Sequence, residues 1–329
     1  MTYPLIGNYG ISRDDFEAMR PYIHGLAVRE HELVPSNWRA EYTLDSLLKE
    51  YDIPGISGID TRMLTRKIRQ AGTLRGVLTT STASVDELLE RLNASESITD
   101  HVARVSTKTM YSVPGDGKRI VLMDFGAKSG IIRALAKRDC EVLVVPHDTS
   151  AEQIRRLNPD GILLSNGPGD PKHVPGAVKM ISELLGEYPI FGVCLGHQLL
   201  ALACGADTKK LTFGHRGGNY PVKDLNTGHC YITSQNHGFV VVDSSLEGTG
   251  LRVTHINNND GTVEGLQHET YPAFSIQYHP EAPPGPSDSS YLYDRFMELI
   301  EDHKASLSEP PKQAQFVANR KGELVYAEK

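Results

Sequence analysis

The sequence predicts an α/β protein in which a mostly parallel sheet lies between layers of helices. From about residue 119 onward, four short apolar runs follow one another, and a stretch with helical spacing comes after each run. The runs are apolar throughout, which is typical of parallel strands buried on both faces. The chain of 329 residues is also long enough for a second, smaller domain.

The predicted strands and helices alternate regularly in this part of the chain, as βαβ units do. The four runs are RIVLMDFG, EVLVVPHD, GILLSNGPGDP and PIFGVC, and they are followed by KSGIIRALAKRDC, SAEQIRRLNPD, VKMISELLGEY and GHQLLALACGA. Downstream, further strands and turns that extend or cap the sheet are predicted at YPVKDL, HCYITSQNHGFVVV, LRVTHINNNDGTVEGLQH and PAFSIQYHP.

A mixed region precedes the sheet. The segment SVPGDGKR, residues 112–119, is rich in Gly, Pro and charge, as linkers and turns are. Upstream, STASVDELLERLNAS predicts a capped amphipathic helix, and GIDTRMLTRKIRQAG predicts a helix whose basic face is most simply a solvated surface. We therefore expect a smaller N-terminal α/β domain at 1–113, the sheet domain at 114–304 and a polar tail at 305–329.

Composition excludes several classes of protein. The net charge of −7 argues against a nucleic-acid surface, and no segment is long and apolar enough to span a bilayer. The N-terminus lacks the pattern of a signal peptide. The four cysteines have no CxxC spacing, so we expect a reduced cytoplasmic protein without a disulfide framework or metal site.

Cys194 is the first candidate for chemistry. In GVCLG it lies between Gly192 and Gly196, where a strand passes into a helix. This is the pattern of a nucleophile elbow, in which the glycines permit a sharp turn at the carboxyl edge of the sheet. The helix N-terminus favours a thiolate and offers N–H donors for an oxyanion. A lone cysteine is more often an inert buried residue, and it is the strand–helix context that favours a nucleophile here.

The geometry predicts that the proton acceptor of this thiol is His279 and not the neighbouring His197. A helix beginning at Leu195 places His197 in the helix body, where its ring would project sideways. In YHPEA, His279 and Glu281 are two residues apart on an extended segment, so their side chains lie on the same side. Glu281 can then orient the ring, as the third member of a catalytic triad does. Alone, this short motif is weak evidence, because an exposed polar turn can have the same sequence.

The segment SNGPGDP supplies a third element at the end of a neighbouring strand. Its loop at Gly167, Pro168 and Gly169 has exposed N–H groups, and Gly167 is a candidate oxyanion donor. The segment lacks the pattern of a phosphate-binding loop, and without the elbow an ordinary turn would be equally plausible.

Together, SNGPGDP, GVCLGHQ and YHPEA resemble the triad (class I) glutamine amidotransferases. Within that class, the sequence is most similar to the small, glutamine-hydrolysing subunits of carbamoyl-phosphate synthase. That similarity covers about residues 2–300, and the segments that carry it are TYPLIGNYG, GIDTRMLTRKIRQAGTLRG, FGHRGGNYPVKD, TSQNHGFVV, NNNDGTVEGL and FSIQYHPEAPPGPSDSSYLYDRF.

The resemblance implies a role for each site residue. Cys194 would attack the side-chain amide of L-glutamine and form a γ-glutamyl thioester, while His279, held by Glu281, would move the proton. The N–H groups of Gly167 and Leu195 would form the oxyanion hole. The positions that match glutamine-binding residues are Gly167, Gly169, Leu195, Gln198, Asn236, Gly238 and Phe239.

The resemblance also implies a partner. Ammonia would pass to a separate large subunit, which uses bicarbonate and ATP, with Mg, to make carbamoyl phosphate for arginine or pyrimidine synthesis. This chain would hold no cofactor of its own, and we expect a heterodimer or a higher assembly. Members of the family ordinarily have a further segment before TYPLIGNYG, with a serine that contacts glutamine, so the N-terminal domain is expected to be truncated here.

Other functions remain open at this stage. The chain could be a truncated, non-catalytic partner of the large subunit, or the amidotransferase of another synthetase, although GIDTR argues against the latter. A metal-binding role is weakest, because the His and Cys residues do not cluster at ligand spacing.

Overall fold

The computed structural model describes residues 1–3, 5–281 and 288–308, together with the backbone of 316–318 and 324–326. Helix α3 begins with the predicted cap, since Ser84 and Glu87 each accept a hydrogen bond from the other's backbone N–H. The elements of the N-terminal part are β1 (Leu26–Ala27), α1 (Leu44–Glu50), β2 (Gly55–Ile56), α2 (Thr61–Ala71), α3 (Val85–Ala94) and α4 (His101–Val105).

Among the described residues that follow, ten strands form one sheet in the order β3-β5-β4-β6-β7-β12-β11-β10-β8-β9. Strands β5, β4, β6, β7 and β12 are parallel, and the others pair antiparallel. The predicted fold class is therefore confirmed. Its elements are β3 (Tyr111–Val113), β4 (Arg119–Asp124), α5 (Ser129–Ala136), β5 (Glu141–Pro146), α6 (Ala151–Leu157), β6 (Gly161–Leu164), α7 (Pro175–Leu184), β7 (Ile190–Val193), α8 (Leu195–Ala203), β8 (Thr208–Asp224), β9 (Cys230–Val241), β10 (Leu251–Asn257), β11 (Val263–His268), β12 (Ala273–Ile276) and α9 (Tyr291–Ser308).

Two hydrophobic layers explain why the parallel strands are apolar throughout. In β4, Val121 and Met123 pack on one face with residues of α6, α7 and α8. Ile120 and Leu122 point to the opposite face, where α5 and α9 cover them. All four side chains are fully buried, so neither face of the strand tolerates the polar residue that a half-exposed strand would carry.

The predicted linker differs from the structure at its beginning. Ser112 and Val113 belong to β3, which pairs with Leu143 and Val142 at the edge of the sheet. A short polar strand can occupy an edge because only one side of its backbone needs partners. The following turn packs closely, since the N–H of Gly117 donates to the carbonyl of Asp139.

The last residues include both helix and strand. Helix α9 continues to Ser308 and so takes in the start of the predicted tail. Further on, β13 (Phe316–Ala318) pairs antiparallel with β14 (Leu324–Tyr326). The remainder of the tail lies outside the described residues, as do residues 282–287, which include the last residue of YHPEA. The domain boundaries stay predictions. Among the described helices, none combines the length and apolar character needed to cross a membrane.

Candidate active site

Cys194 lies in the turn between β7 and α8 with the backbone of a nucleophile elbow. Its φ of 54° and ψ of −101° are a conformation that costs a non-glycine residue about 1–3 kcal/mol. A Cβ on Gly192 would lie 2.7 Å from the carbonyl oxygen of Gly196, and one on Gly196 would lie 2.2 Å from that of Leu164. Both glycines are therefore needed for the backbone segments to approach so closely.

His279 and Glu281 follow β12, the neighbour of β7, and form a buried pair. Nδ1 of His279 lies 2.7 Å from Oε1 of Glu281, and the two residues are 7% and 8% exposed. Strand β12 is parallel to β7, with Ile276 opposite Val193, so both strands end at the same edge of the sheet. There His279 lies close enough to Cys194 for the two side chains to interact electrostatically.

The surroundings of His279 favour its protonated form. Burial lowers the pKa of His279, but the charges of Glu281 and Cys194 outweigh burial and raise this pKa well above its usual value. Burial raises the pKa of Glu281, but His279 and then Lys128 outweigh it and hold this pKa low. Lys128 Nζ lies 3.1 Å from Oε1 of Glu281. A protonated ring can stabilise a thiolate and later protonate a leaving group.

His197 is a core residue, although it is the histidine closest to Cys194 in sequence. It is fully buried, and its Nδ1 lies 2.9 Å from Oγ of Ser275 in β12. Burial lowers the pKa of His197 to about 3. The ring is thus held in the core and neutral at physiological pH, as expected from its place in the helix body.

Two backbone N–H groups lie beside the elbow. Leu195 is the first residue of α8, where an N–H has no acceptor within the helix. Gly167 follows β6, and a Cβ there would lie 2.4 Å from the carbonyl oxygen of Phe125 and 2.7 Å from Cδ2 of Leu195. The loop is therefore held against the start of α8, where the oxyanion hypothesis needs it. The role of these two groups stays a prediction.

A cavity of about 1750 Å³ opens in front of Cys194 and His279. It is lined on one side by the N-terminal part, including residues 18–24, 100–101 and 103–108, and on the other by the sheet domain. Of the predicted site residues, Glu281 and Leu195 are not among those that line it. The predicted glutamine-binding residues that line it are Gly167, Gly169, Gln198, Asn236, Gly238 and Phe239.

The amide of Gln198 is fixed before any ligand arrives. Its Nε2 donates to the carbonyl oxygen of Phe239 at 2.8 Å and to Oε1 of Gln277 at 2.9 Å. Gln198 is 2% exposed, so it connects α8 to β9 as well as lining the cavity. This double contact ties the strand that carries Asn236 and Gly238 to the helix that begins at the elbow.

Sequence reasoning missed Lys128, which precedes α5 and pairs with Glu281. Nothing in KSGIIRALAKRDC distinguishes this lysine from one on a solvated helix end. It also missed the N-terminal residues that line the cavity, because they come from a region without a catalytic motif.

A second cluster of ionisable groups is formed by side chains of β8, β9 and β11. His215, His237 and Glu264 bring one possible metal-ligand atom each to within 4.8 Å of the others. The oxygens of Glu264, however, accept hydrogen bonds from Gln235 and Asn257, both at 2.9 Å. Both ring nitrogens of His237 lie within 2.8 Å of an acceptor. The cluster therefore serves as a network that joins β8, β9 and β11, and we assign no metal to it.

Comparisons with known proteins identify the family of each part of the chain. The model of the family "Glutamine amidotransferase class-I" matches residues 121–299, and that of "Carbamoyl-phosphate synthase small chain, CPSase domain" matches residues 1–78. A Thermoplasma acidophilum protein, described as a candidate GMP synthase component, shares the fold with a TM-score of 0.52 at 20% identity, over 58% of this chain and 98% of that one.

Three curated relatives are more similar in sequence to this chain than the Thermoplasma acidophilum protein is. The carbamoyl phosphate synthase small chain of Bacillus caldolyticus is 57% identical over 99% of this chain and 86% of the relative. The pyrimidine-specific small chains of Halalkalibacterium halodurans and Bacillus subtilis are 60% and 59% identical, over 92% of this chain and 84% and 82% of those relatives. With a class-I glutamine amidotransferase domain behind an N-terminal small-chain domain, this chain belongs to the carbamoyl phosphate synthase small chain family.

Proposed function

We propose that this chain hydrolyses L-glutamine to glutamate and ammonia at Cys194. The observation that carries the proposal is the strained cysteine at the elbow with the buried pair of His279 and Glu281 beside it, all at one edge of the sheet. The cavity in front of this edge is large enough to admit an amino acid.

The first half of the reaction makes the thioester. The sulfur of Cys194 attacks the side-chain carbonyl carbon of glutamine, and the N–H groups of Gly167 and Leu195 bind the oxyanion. The carbon–nitrogen bond then breaks, and protonated His279 gives its proton to the leaving nitrogen, which departs as ammonia. Glu281 stabilises the imidazolium before this transfer.

The second half releases glutamate. Neutral His279 takes a proton from water, and the resulting hydroxide attacks the thioester carbon. The carbon–sulfur bond breaks, which returns the sulfur of Cys194 as a thiolate beside protonated His279. Five residues along the cavity wall would hold the amino acid in place throughout, namely Gly169, Gln198, Asn236, Gly238 and Phe239.

The ammonia serves a partner in this proposal. A large subunit, bound in a heterodimer or in a higher assembly, would combine it with bicarbonate by means of its own ATP and Mg. A closed path is favoured because ammonia in bulk water near neutral pH is mostly protonated and no longer nucleophilic. The names of two relatives favour the pyrimidine branch. A nucleophilic thiol fits the reducing cytoplasm, where we place the reaction.

The experiment measures glutamate release from glutamine by the purified chain and by Cys194→Ser. We expect the substitution to abolish release, while Cys230→Ser, at an exposed cysteine, leaves it unchanged. A diazo-ketone analogue of glutamine should label the parent chain at Cys194 alone.

Three outcomes would contradict the proposal in whole or in part. Activity that survives Cys194→Ser would exclude this nucleophile. A folded parent chain that binds the large subunit with neither labelling nor turnover would instead indicate a non-catalytic partner. Co-purification with a different synthetase would reassign the ammonia acceptor.

A further inference from the structure

Glu17 joins the N-terminal part of the chain to helix α5. It follows a short 3-10 turn at Arg13–Asp15. Its Oε2 accepts a hydrogen bond from the N–H of Gly130 at 2.9 Å, and its other oxygen pairs with the guanidinium of Arg133. Its backbone carbonyl accepts from the N–H of Ser129 at 3.0 Å. The side chain is 20% exposed.

These contacts complete the start of α5. The first N–H groups of a helix have no acceptor within it, and Lys128, at the N-cap position, makes no side-chain hydrogen bond to them. Glu17 supplies the missing acceptors from 113 residues away in sequence. Its negative charge also suits the positive end of the helix dipole.

Glu281 also packs against the first turn of α5. Lys128 Nζ lies 3.1 Å from Oε1 of Glu281, the same oxygen that holds His279. A Cβ on Gly130 would lie 3.0 Å from Oε2 of Glu17 and 3.1 Å from Cγ of Glu281. Glu17 and Glu281 thus both pack against Gly130. A shift of this turn would therefore also move the residues that support the Glu281 carboxylate.

We propose that Glu17 is a positioning residue for the triad. By fixing Ser129 and Gly130, it sets the place of Lys128 and of the Glu281 carboxylate, and through them the orientation of the His279 ring. The N-terminal part then contributes to the rate of the chemical step as well as to the cavity wall. This inference rests on the proposed glutamine hydrolysis.

The test compares Glu17→Ala, Glu17→Gln and the control Asp14→Asn in the purified chain. Asp14 lies in the preceding turn, with a side chain that is 87% exposed and 3.9 Å from Arg39. Labelling by the diazo-ketone analogue gives the concentration of reactive Cys194, and kcat is expressed per labelled site. This correction removes losses that come only from unfolded protein.

We expect Glu17→Ala to lower kcat per site roughly tenfold to a hundredfold, with a much smaller change in KM, because misplacement by about 1 Å costs that much. Glu17→Gln keeps an oxygen that can accept from Gly130 and should recover part of the loss, and Asp14→Asn should match the parent. A parental kcat per site in Glu17→Ala, or an equal loss in Asp14→Asn, would overturn the inference. Activity that survives Cys194→Ser would instead overturn the proposed reaction itself.

Discussion

Replacing Gly196 by alanine tests whether the close approach at the elbow is needed for activity. Gly196 is the second residue of α8, and the added Cβ would lie 2.2 Å from the carbonyl oxygen of Leu164 at the end of β6. That oxygen belongs to the backbone of a central strand and cannot rotate away. Relief therefore requires α8 and β6 to move apart.

The size of this movement follows from the contact distance. To reach even 3.0 Å, the atoms must separate by about 0.8 Å in an interior that is packed like a crystal. Such overpacking typically costs about 1–3 kcal/mol of unfolding free energy. The same movement displaces the N–H of Leu195 and the sulfur of Cys194 from His279. We expect kcat for glutamine hydrolysis to fall about a hundredfold.

The assays are urea denaturation and glutamate release. Gly176→Ala is the matched control, because Gly176 is also helical but its added Cβ would have no atom within 4 Å other than those of its chain neighbours and its own helix backbone. There we expect parental activity and a gain of about 0.5–1 kcal/mol, since alanine is the better helix former. Parental kcat in Gly196→Ala, or an equal loss in Gly176→Ala, would refute the reasoning.

Two further substitutions test the triad and the core. Glu281→Gln removes the charge that raises the pKa of His279, so the ring should titrate at lower pH by NMR, and kcat should fall about 10²- to 10⁴-fold. Because the folded pKa of Glu281 is lowered, its stabilising effect is present above its unfolded pKa of about 4.3 and is lost as pH falls through the folded pKa. The urea midpoints of parent and variant should converge on acidification, and a widening gap would contradict this. Phe296→Ala should lose about 3–5 kcal/mol in urea denaturation, since Phe296 is fully buried with its ring centroid 5.7 Å from that of Phe191. Leu307→Ala, at a position 73% exposed on the same helix, should change stability little, and an equal loss there would argue against core packing as the cause.

Much of the sheet domain could be predicted from sequence because its pattern is local. Each parallel strand is buried on both faces and is therefore apolar throughout, and each connecting helix has its own periodicity. The elbow is also local, since two glycines around Cys194 are needed where a strand turns sharply into a helix. The exclusion of His197 as the proton acceptor of Cys194 also followed from its position within one helix.

The contacts that support the site had no such local signal. In the sequence, Lys128 looks like any lysine at the end of a helix. Only the fold shows its role, because the segment after β12 places Oε1 of Glu281 3.1 Å from Nζ of Lys128. The polar segment 112–119 looked like a linker because an edge strand needs backbone partners on one side only, and its residues need not be apolar.

The sequence by itself determined the order of strands and helices, the elbow at Cys194 and the spacing of His279 and Glu281. Only the tertiary structure decided which distant groups hold these residues in place, including Glu17 against α5 across 113 residues. The physical reason is that burial and backbone strain leave a pattern in neighbouring residues. An ion pair or a helix cap supplied from afar depends on how separate segments pack together.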